Sequence, residues 1–277
     1  MTRTMPPFAL LGFLRIGGIP AAAFLCLALA FAAGCAPAGL RKLEPLPLSS
    51  SMERAAKLRE RSEHWRVYQA RMKVRSREKD GVYRFTALVT ARLPEHVRIE
   101  ASNLWGQTLG LLVVNPAGAS LWIASENLLY TARKPDLLVQ KLFGLPIPSG
   151  VLAYGLPGCV PPDHVEGQWR SHYGDSPWTG FVHAASPGAS YTWKFLPRSG
   201  ALAGVDVADS SSSYSIRYTP PVSLDPNAVP REISFFTSPS QWQTRLLVDE
   251  MRRGESLPAD LFRMPSVEGV RTLSLDE

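Results

Sequence analysis

The alternation of apolar and polar residues predicts one helix followed by many short strands. Residues 49–65 begin with serines that can cap a helix, and they carry Leu58 and Trp65 on an approximately helical stripe. From Val67 the apolar residues recur at every second position, which is typical of a strand with one buried face. The chain therefore changes from helix to strand between Trp65 and Val67.

The first two strands are predicted to form a hairpin with one polar face. A turn at Lys79-Asp80-Gly81 separates two runs of strict alternation. The apolar positions are Tyr68, Ala70, Met72 and Val74 in the first run and Tyr83, Phe85, Ala87, Val89 and Ala91 in the second. Because side chains alternate between the two faces of a strand, these residues should share one face of the sheet.

Later strands follow at short intervals. They are predicted at 97–101, 109–114, 121–123, 128–130, 167–173, 178–185, 191–196, 201–208, 214–218, 232–236 and 242–249. Consecutive strands joined by short connections favour an antiparallel sheet. Residues 220–230 are predicted to be a loop, and 265–277 a peripheral C-terminal tail.

A helical insertion interrupts the strands. Pro135 can begin a helix that runs from Asp136 to Phe143, and Val151–Tyr154 can form a second, shorter one. The predicted fold class is α+β, mainly β: a strongly curved antiparallel sheet forms an open half β-barrel. The N-terminal helix and a helical lid would cover a hydrophobic cavity on its concave side.

The N-terminal residues have the order of a secretory signal. Arg3 and Arg15 are the only charges before Cys35, and an uncharged stretch rich in Ala and Leu runs from Ile16 to Gly34. The stretch ends at Ala32–Cys35, which resembles the bacterial lipobox. An uncleaved anchor helix is the alternative, and Pro20 disfavours it.

The lipobox resemblance divides the chain into four parts. Residues 1–34 would be a lipoprotein signal peptide, 35–48 a tether lipidated at Cys35, 49–264 the folded domain, and 265–277 the tail. Ala36 stands where lipoproteins retained in the inner membrane carry Asp. The resemblance therefore implies sorting to the outer membrane.

Composition and charge remove several classes of function. The chain is 45% hydrophobic and 19% charged, which excludes a disordered or collagen-like protein. Its net charge of +6 is spread along the chain, so the sequence predicts no nucleic-acid partner. Three cysteines, Cys26, Cys35 and Cys159, make neither a disulfide framework nor a metal site. The five histidines are His64, His96, His164, His172 and His183, and they form no metal-binding motif. No nucleophile elbow or phosphate loop is present, and we expect no enzyme activity, metal or cofactor.

One segment carries a family resemblance. Residues 141–158 read Lys-Leu-Phe-Gly-Leu-Pro-Ile-Pro-Ser-Gly-Val-Leu-Ala-Tyr-Gly-Leu-Pro-Gly, which closely resembles the helix–Pro-Ile-Pro–helix–Gly-Leu-Pro-Gly block of the LolB family. Asn103–Gln107 falls where that family has a loop between its third and fourth strands. The resemblance covers roughly Ser49 to Phe262, although the strand region after 158 looks longer here than in LolB.

The resemblance implies a lipoprotein receptor of the wider LolA/LolB-like superfamily. Such a protein takes acylated lipoproteins from a periplasmic LolA-like carrier and inserts them into outer-membrane lipid, here as a monomer. The implied cavity residues are Tyr68, Met72, Val74, Tyr83, Phe85, Val89, Leu142, Phe143 and Ile147, with Leu145 also in the lid. Each could equally belong to an ordinary packed core.

Leu104 and Trp105 occupy the implied membrane-insertion loop. Two large apolar side chains at a turn are unusual, because turns normally carry polar residues. They could engage the bilayer, or both could fold back onto the rim of the barrel. The same fold could also serve as a static envelope component, a lipid-binding or interaction module of a larger assembly, without moving lipid.

Replacing the lipobox cysteine tests the anchor. Cys35→Ala removes the thiol that would carry the lipid, so metabolic labelling with a radioactive fatty acid should disappear, leaving an uncleaved or soluble product. Persistent label on Cys35→Ala would contradict the anchor.

Overall fold

The structure, a computed structural model, describes residues 48–78, 81–143, 147–159, 170–172, 179–186, 189–196, 199–208, 213–238 and 243–276. The predicted signal peptide, Cys35 and almost all of the tether lie outside the described residues. Pro45–Glu277 forms a compact unit that contains every residue of the described hydrophobic core. We therefore expect this unit to fold without residues 1–44.

The described ranges contain three α-helices, one short 3₁₀ helix and fourteen strands. The helices are α1 (Leu48–His64), α2 (Pro135–Phe143), α3 (Ser149–Gly155) and the 3₁₀ helix Ala259–Phe262. The strands are β1 (Val67–Glu78), β2 (Gly81–Arg92), β3 (His96–Ser102), β4 (Thr108–Asn115), β5 (Gly118–Ile123), β6 (Leu128–Ala132), β7 (Arg170–His172), β8 (Thr179–Ser186), β9 (Ala189–Phe195), β10 (Leu202–Ala208), β11 (Ser213–Val222), β12 (Glu232–Ser238), β13 (Gln243–Arg253) and β14 (Arg271–Ser274).

All the strands belong to one sheet whose order is β14-β6-β5-β4-β3-β2-β1-β13-β12-β11-β10-β9-β8-β7. β1 lies at its centre. It pairs on one side with β2, the next strand in sequence, and on the other side with β13, which comes much later in the sequence. Neighbouring strands are antiparallel except for β14, which runs parallel to β6. Within the described residues the two outermost strands do not pair with each other. The mainly β, open-sheet part of the predicted fold class is thereby confirmed.

The alternation in β1 and β2 gives the sheet two different faces. Met72 and Val74 lie opposite Ala87 and Phe85, and all four side chains are buried on one face, called the inner face here. The charged residues between them point to the outer face. This division follows directly from the period of two.

Three helices pack on the inner face. The sheet has two halves, called wings here, on either side of β1. Over the wing that contains β9, the Arg54 guanidinium carbon of α1 lies 5.2 Å from the centroid of the Phe195 ring. Over the other wing, Leu138 and Val139 of α2 are buried beside β4, β5 and β6. Between them Tyr68 Oη donates to the α3 carbonyl of Ala153 at 2.7 Å. Because both wings contribute to one continuous core, the sheet must curve around these helices.

Two segments in the C-terminal part of the chain form strands where the sequence predicted a loop and a peripheral tail. β11 continues through Pro220 and Pro221 to Val222, although those residues were expected to lie in a loop. Its pairing with β12 ends at Thr219, so on that side the ladder needs no N–H group from either proline. The residues expected to form a peripheral tail include β14, which adds an exposed edge strand to β6.

A buried arginine joins α1 to two distant loops. The Arg61 side chain is completely buried, and its Nε donates to Pro157 O at 3.0 Å. Its Nη1 donates to Asp225 O and its Nη2 to Ala228 O, both at 2.5 Å. Longer bonds reach the carbonyls of Gly158 and Ser223. Burial lowers the pKa of Arg61, but a guanidinium keeps its charge in proteins.

Removal of this guanidinium should be strongly destabilising. Arg61→Met fills similar space but leaves buried carbonyls without donors, so the free energy of unfolding should fall by about 3–5 kcal/mol. Arg59→Met, on the exposed side of the same helix, is the matched control and should change it by less than about 0.5 kcal/mol. Urea unfolding of residues 45–277 measures both. Equal effects of the two substitutions would contradict the structural role of Arg61.

Candidate functional site: an apolar turn above a filled interior

The turn between β3 and β4 is held in shape by its own polar groups. The amides of Trp105 and Gln107 both donate to Asn103 Oδ1, at 2.9 and 3.0 Å. The Asn103 amide donates to Gln107 O at 2.9 Å, and Gly106 adopts a φ of 80° that disfavours other residues. These hydrogen bonds are made by backbone groups and by Asn103, so the turn keeps its shape without the Leu104 and Trp105 side chains.

Leu104 and Trp105 project from this turn into solvent. Leu104 is 75% exposed and Trp105 is 87% exposed, the largest values among the exposed large apolar residues of the described chain. The alternative in which both fold back onto the rim does not occur. A built turn thus presents two apolar side chains to the surroundings.

The predicted cavity residues lie largely together, as a packed interior. Tyr68, Met72, Val74, Phe85, Val89 and Ile147 are all buried in the core. Leu142 is half-buried and lies close to Gly110 of β4, whereas the Phe143 side chain and Leu145 lie outside the described residues. The alternation in sequence therefore placed the strand residues of this group on one buried face, but it could not tell a packed core from the wall of a cavity.

Tyr83 departs from this group. It lies opposite Ser76 near the end of the first hairpin and is 50% exposed. β3 ends at Ser102, which lies opposite Thr86, so Tyr83 extends beyond the cover of that strand. The position of Tyr83 in the alternating strand pattern was predicted correctly, but the prediction that its side chain is buried was wrong.

Little empty space remains beneath α3. A cavity of about 20 Å³ lies there, room for about one water molecule. It is lined by Val151, Tyr154, Gly155, Cys159, Tyr191, Trp193, Val205 and Ile216. Ligand pockets for small molecules are typically about 300–1,000 Å³. An acyl chain therefore fits this part of the interior only if side chains or helices move.

A polar cleft that the sequence did not reveal opens beside α1. Its volume is about 430 Å³. The lining residues are Glu53, Arg54, Lys57, Glu60, Ser199, Gly200, Ser223, Leu224, Asp225 and Pro226. They come from α1 and two loops that are distant in sequence, so no local motif could have identified the cleft.

The titratable groups of the interior are suited to structure more than to reaction chemistry. Burial raises the pKa of the Cys159 thiol to about 12, although the nearby Arg61 charge opposes the shift. The Cys159 Sγ donates to Arg61 O at 3.5 Å. Burial also lowers the pKa of His64 and His96. Within the described residues no three metal-ligating side chains are grouped together.

Comparison with known proteins identifies a shared fold and no more. No family model and no curated protein matches the chain. A solved DUF1329 family protein from Desulfovibrio piger has 7% sequence identity and a TM-score of 0.52, with 79% of this chain and 98% of that one covered. At this identity the likeness concerns the fold alone.

Two further structures are more distant. A putative outer membrane lipoprotein-sorting protein domain from Vibrio parahaemolyticus is 9% identical, with a TM-score of 0.47 over 76% of this chain and 95% of its own. A LolA superfamily protein from Nitrosomonas europaea is 11% identical, with a TM-score of 0.47 over 76% and 97%. These scores are too low to carry an inference. Separately, no helix in the described ranges has the length and hydropathy of a membrane span.

The Cys159 thiol should be almost unreactive in the folded protein. In residues 45–277 it is the sole cysteine, and with a pKa of about 12 it is almost entirely protonated at pH 8. Iodoacetamide should therefore alkylate it about a thousandfold more slowly than in the urea-unfolded chain, as followed by mass spectrometry. Modification of the folded chain at the unfolded rate would contradict this environment.

Proposed function

We propose that this chain is an outer-membrane-anchored lipoprotein that binds acyl chains and delivers acylated lipoproteins to the outer membrane. Its partners would be the acylated cargo, a periplasmic LolA-like carrier and membrane lipid. The projecting Leu104 and Trp105 side chains are the observation that carries the proposal. The lipobox-like Ala32–Cys35 segment and the LolB-like block at 141–158 support it from the sequence.

The exposed turn has the chemistry of a membrane contact. Trp prefers the interface between water and hydrocarbon, because its ring is apolar and its N–H group is polar. A buried Leu side chain gains about 1.5–3 kcal/mol relative to an exposed one. Since the hydrogen bonds of Asn103 hold the turn, Leu104 and Trp105 can enter a bilayer without any loss of folded contacts.

Cargo binding would require space in the interior, and α2 is the element best placed to provide it. α3 is held by hydrogen bonds from Tyr68 and Tyr218 to its carbonyls, at 2.7 and 2.9 Å. α2 has only nine residues, and its main buried side chains are Leu138 and Val139. Its polar contacts are near the surface: Asp136 Oδ1 accepts from the Ser149 amide of α3 at 2.7 Å, and Lys141 Nζ lies 4.1 Å from the centroid of the Tyr130 ring. We infer that α2 moves away while α3 stays on the sheet.

The energies favour such an exchange. Exposing Leu138 and Val139 costs about 3–6 kcal/mol, at about 1.5–3 kcal/mol for each side chain. An acyl chain gains about 0.8 kcal/mol per buried CH₂, so burial of about ten such groups gains roughly 8 kcal/mol. Displacement of α2 by an acyl chain is therefore favourable in free energy.

A static envelope module is the second candidate. The small cavity beneath α3 favours it, because that part of the described interior has room for only about 20 Å³. Such a protein would use the same fold and the same lipid anchor to hold partners, without taking up acyl chains. Binding of a lipopeptide by the folded domain separates the two candidates.

A two-stage assay tests delivery through the turn. Leu104→Glu combined with Trp105→Glu should leave retention of a fluorescent triacylated lipopeptide by residues 45–277 unchanged. Transfer of that lipopeptide to floated liposomes should fall at least tenfold, because carboxylates oppose insertion into the interface. Val229→Glu with Leu273→Glu, at exposed apolar positions elsewhere, is the matched control and should transfer normally.

Three results would count against the proposal. Wild-type transfer by the Leu104/Trp105 variant would show that delivery does not use this turn. Equal loss of retention and transfer would place the two residues in cargo binding. Absence of lipopeptide binding by the folded wild-type domain would favour the static module.

A further inference from the structure

The outer face of β1 carries a ladder of basic residues. Arg71, Lys73, Arg75 and Arg77 occupy its alternate positions, and all four are exposed. Neighbouring strands extend this charge sideways. Arg75 lies directly opposite Arg84 of β2 on one side and Arg245 of β13 on the other. Arg84, Arg75 and Arg245 thus form a cationic row across three strands.

This row is only partly neutralised by the protein itself. Arg245 pairs with Glu232 at 2.5 Å, whereas no carboxylate of the described residues forms an ion pair with Arg75, Arg77 or Arg84. Like charges directly opposite each other destabilise a sheet. An arrangement of this kind is stabilised when an external anion lies over it.

A partly apolar row lies one step nearer the hairpin end of the sheet. Val82 of β2 lies opposite Arg77, Arg77 lies opposite Gln243, and Gln243 lies opposite Phe236 of β12. Val82 is 44% exposed and Phe236 is 36% exposed. The step from the cationic row is two residues along each strand, about 7 Å.

The Leu104–Trp105 turn lies at the same end of the sheet. Ser102 at the end of β3 lies opposite Thr86 of β2, so the turn follows at about the level of Arg84. Exposed apolar side chains and cations are therefore interleaved at this end: Arg77 lies in the row of Val82 and Phe236, and the turn projects at about the level of Arg84.

We propose that this end of the outer face docks on a bilayer that contains anionic lipid, with Val82, Phe236 and the Leu104–Trp105 turn at the acyl boundary and Arg75, Arg77 and Arg84 at the phosphates. Arginine side chains can lay their aliphatic stems along apolar surface while the guanidinium stays at the polar boundary, so arginines interleaved with apolar side chains suit the level of the phosphates. A purely acidic protein surface would explain the cations but not the exposed apolar side chains among them. Its role in delivery rests on the proposed function, and it gives the acceptor bilayer a lipid preference.

Vesicle flotation of the cargo-free domain, residues 45–277, tests the docking surface. The wild-type domain should bind phosphatidylcholine vesicles containing phosphatidylglycerol, bind phosphatidylcholine alone far more weakly, and lose affinity as salt is added. Each basic residue near an anionic surface strengthens association about fivefold, so Arg75→Gln/Arg77→Gln/Arg84→Gln should weaken binding about a hundredfold.

A matched variant controls for net charge. Arg59→Gln/Arg263→Gln/Arg271→Gln removes the same charge from exposed positions elsewhere and should retain wild-type binding. Circular dichroism should show both triple variants folded, since all six side chains are exposed. Because no cargo is present, the outcome is independent of acyl-chain binding and can fail separately from the proposed function.

The expected result is a large loss in the first variant alone. Equal losses in both triple variants would reduce the effect to net charge and overturn the proposal. Wild-type affinity in the Arg75/Arg77/Arg84 variant would overturn it as well. A wild-type domain that ignores anionic vesicles yet binds polyglutamate through these arginines would identify an acidic protein as the partner and overturn membrane docking.

Discussion

The packing of α1 against two loops that are distant in sequence depends on one interaction, the hydrogen bonds of the buried Arg61 guanidinium. A charged group inside a protein is stable only when its donors find acceptors, and here carbonyls from two loops supply them. Three segments that are distant in sequence must therefore stand in fixed positions around one side chain: α1, the turn at 157–158 and the loop at 223–228. Among the residues that the structure describes, no carboxylate forms an ion pair with the guanidinium, so the geometry of the carbonyls decides its stability.

This constraint gives a physical reason for the Gly-Leu-Pro-Gly sequence at 155–158. Pro157 and Gly158 turn their carbonyls toward Arg61, and Gly158 has a φ of 72° that favours glycine. A Cβ on Gly158 would also lie 3.1 Å from Val222. The last four residues of the segment that carries the family resemblance thus have a structural role in holding Arg61.

The helices that cover the two halves of the sheet are held in place by different kinds of contact. α1 and α3 are held by hydrogen bonds of buried groups, whereas α2 combines the apolar packing of a short helix with an exposed hydrogen bond to Asp136 and a contact of Lys141 with Tyr130. Apolar contacts are not directional, and an acyl chain can replace them at little cost. On the outer face, Val82, Phe236 and the row of Arg84, Arg75 and Arg245 lie near the end of the sheet that also carries the Leu104–Trp105 turn.

The sequence by itself determined the elements and their faces, because side-chain alternation and helix caps depend on residues within a few positions of each other. The strands at 67–92, the helix before them and the buried positions Met72 and Val74 followed from this local pattern. Tertiary structure alone decided which strands are neighbours, since β1 pairs with β13 far along the chain. Tyr83 is exposed because a neighbouring strand ends early, and little space is left beneath α3 because that helix packs closely on the sheet. The cationic row exists only once three strands lie in register, so no local pattern could have predicted it.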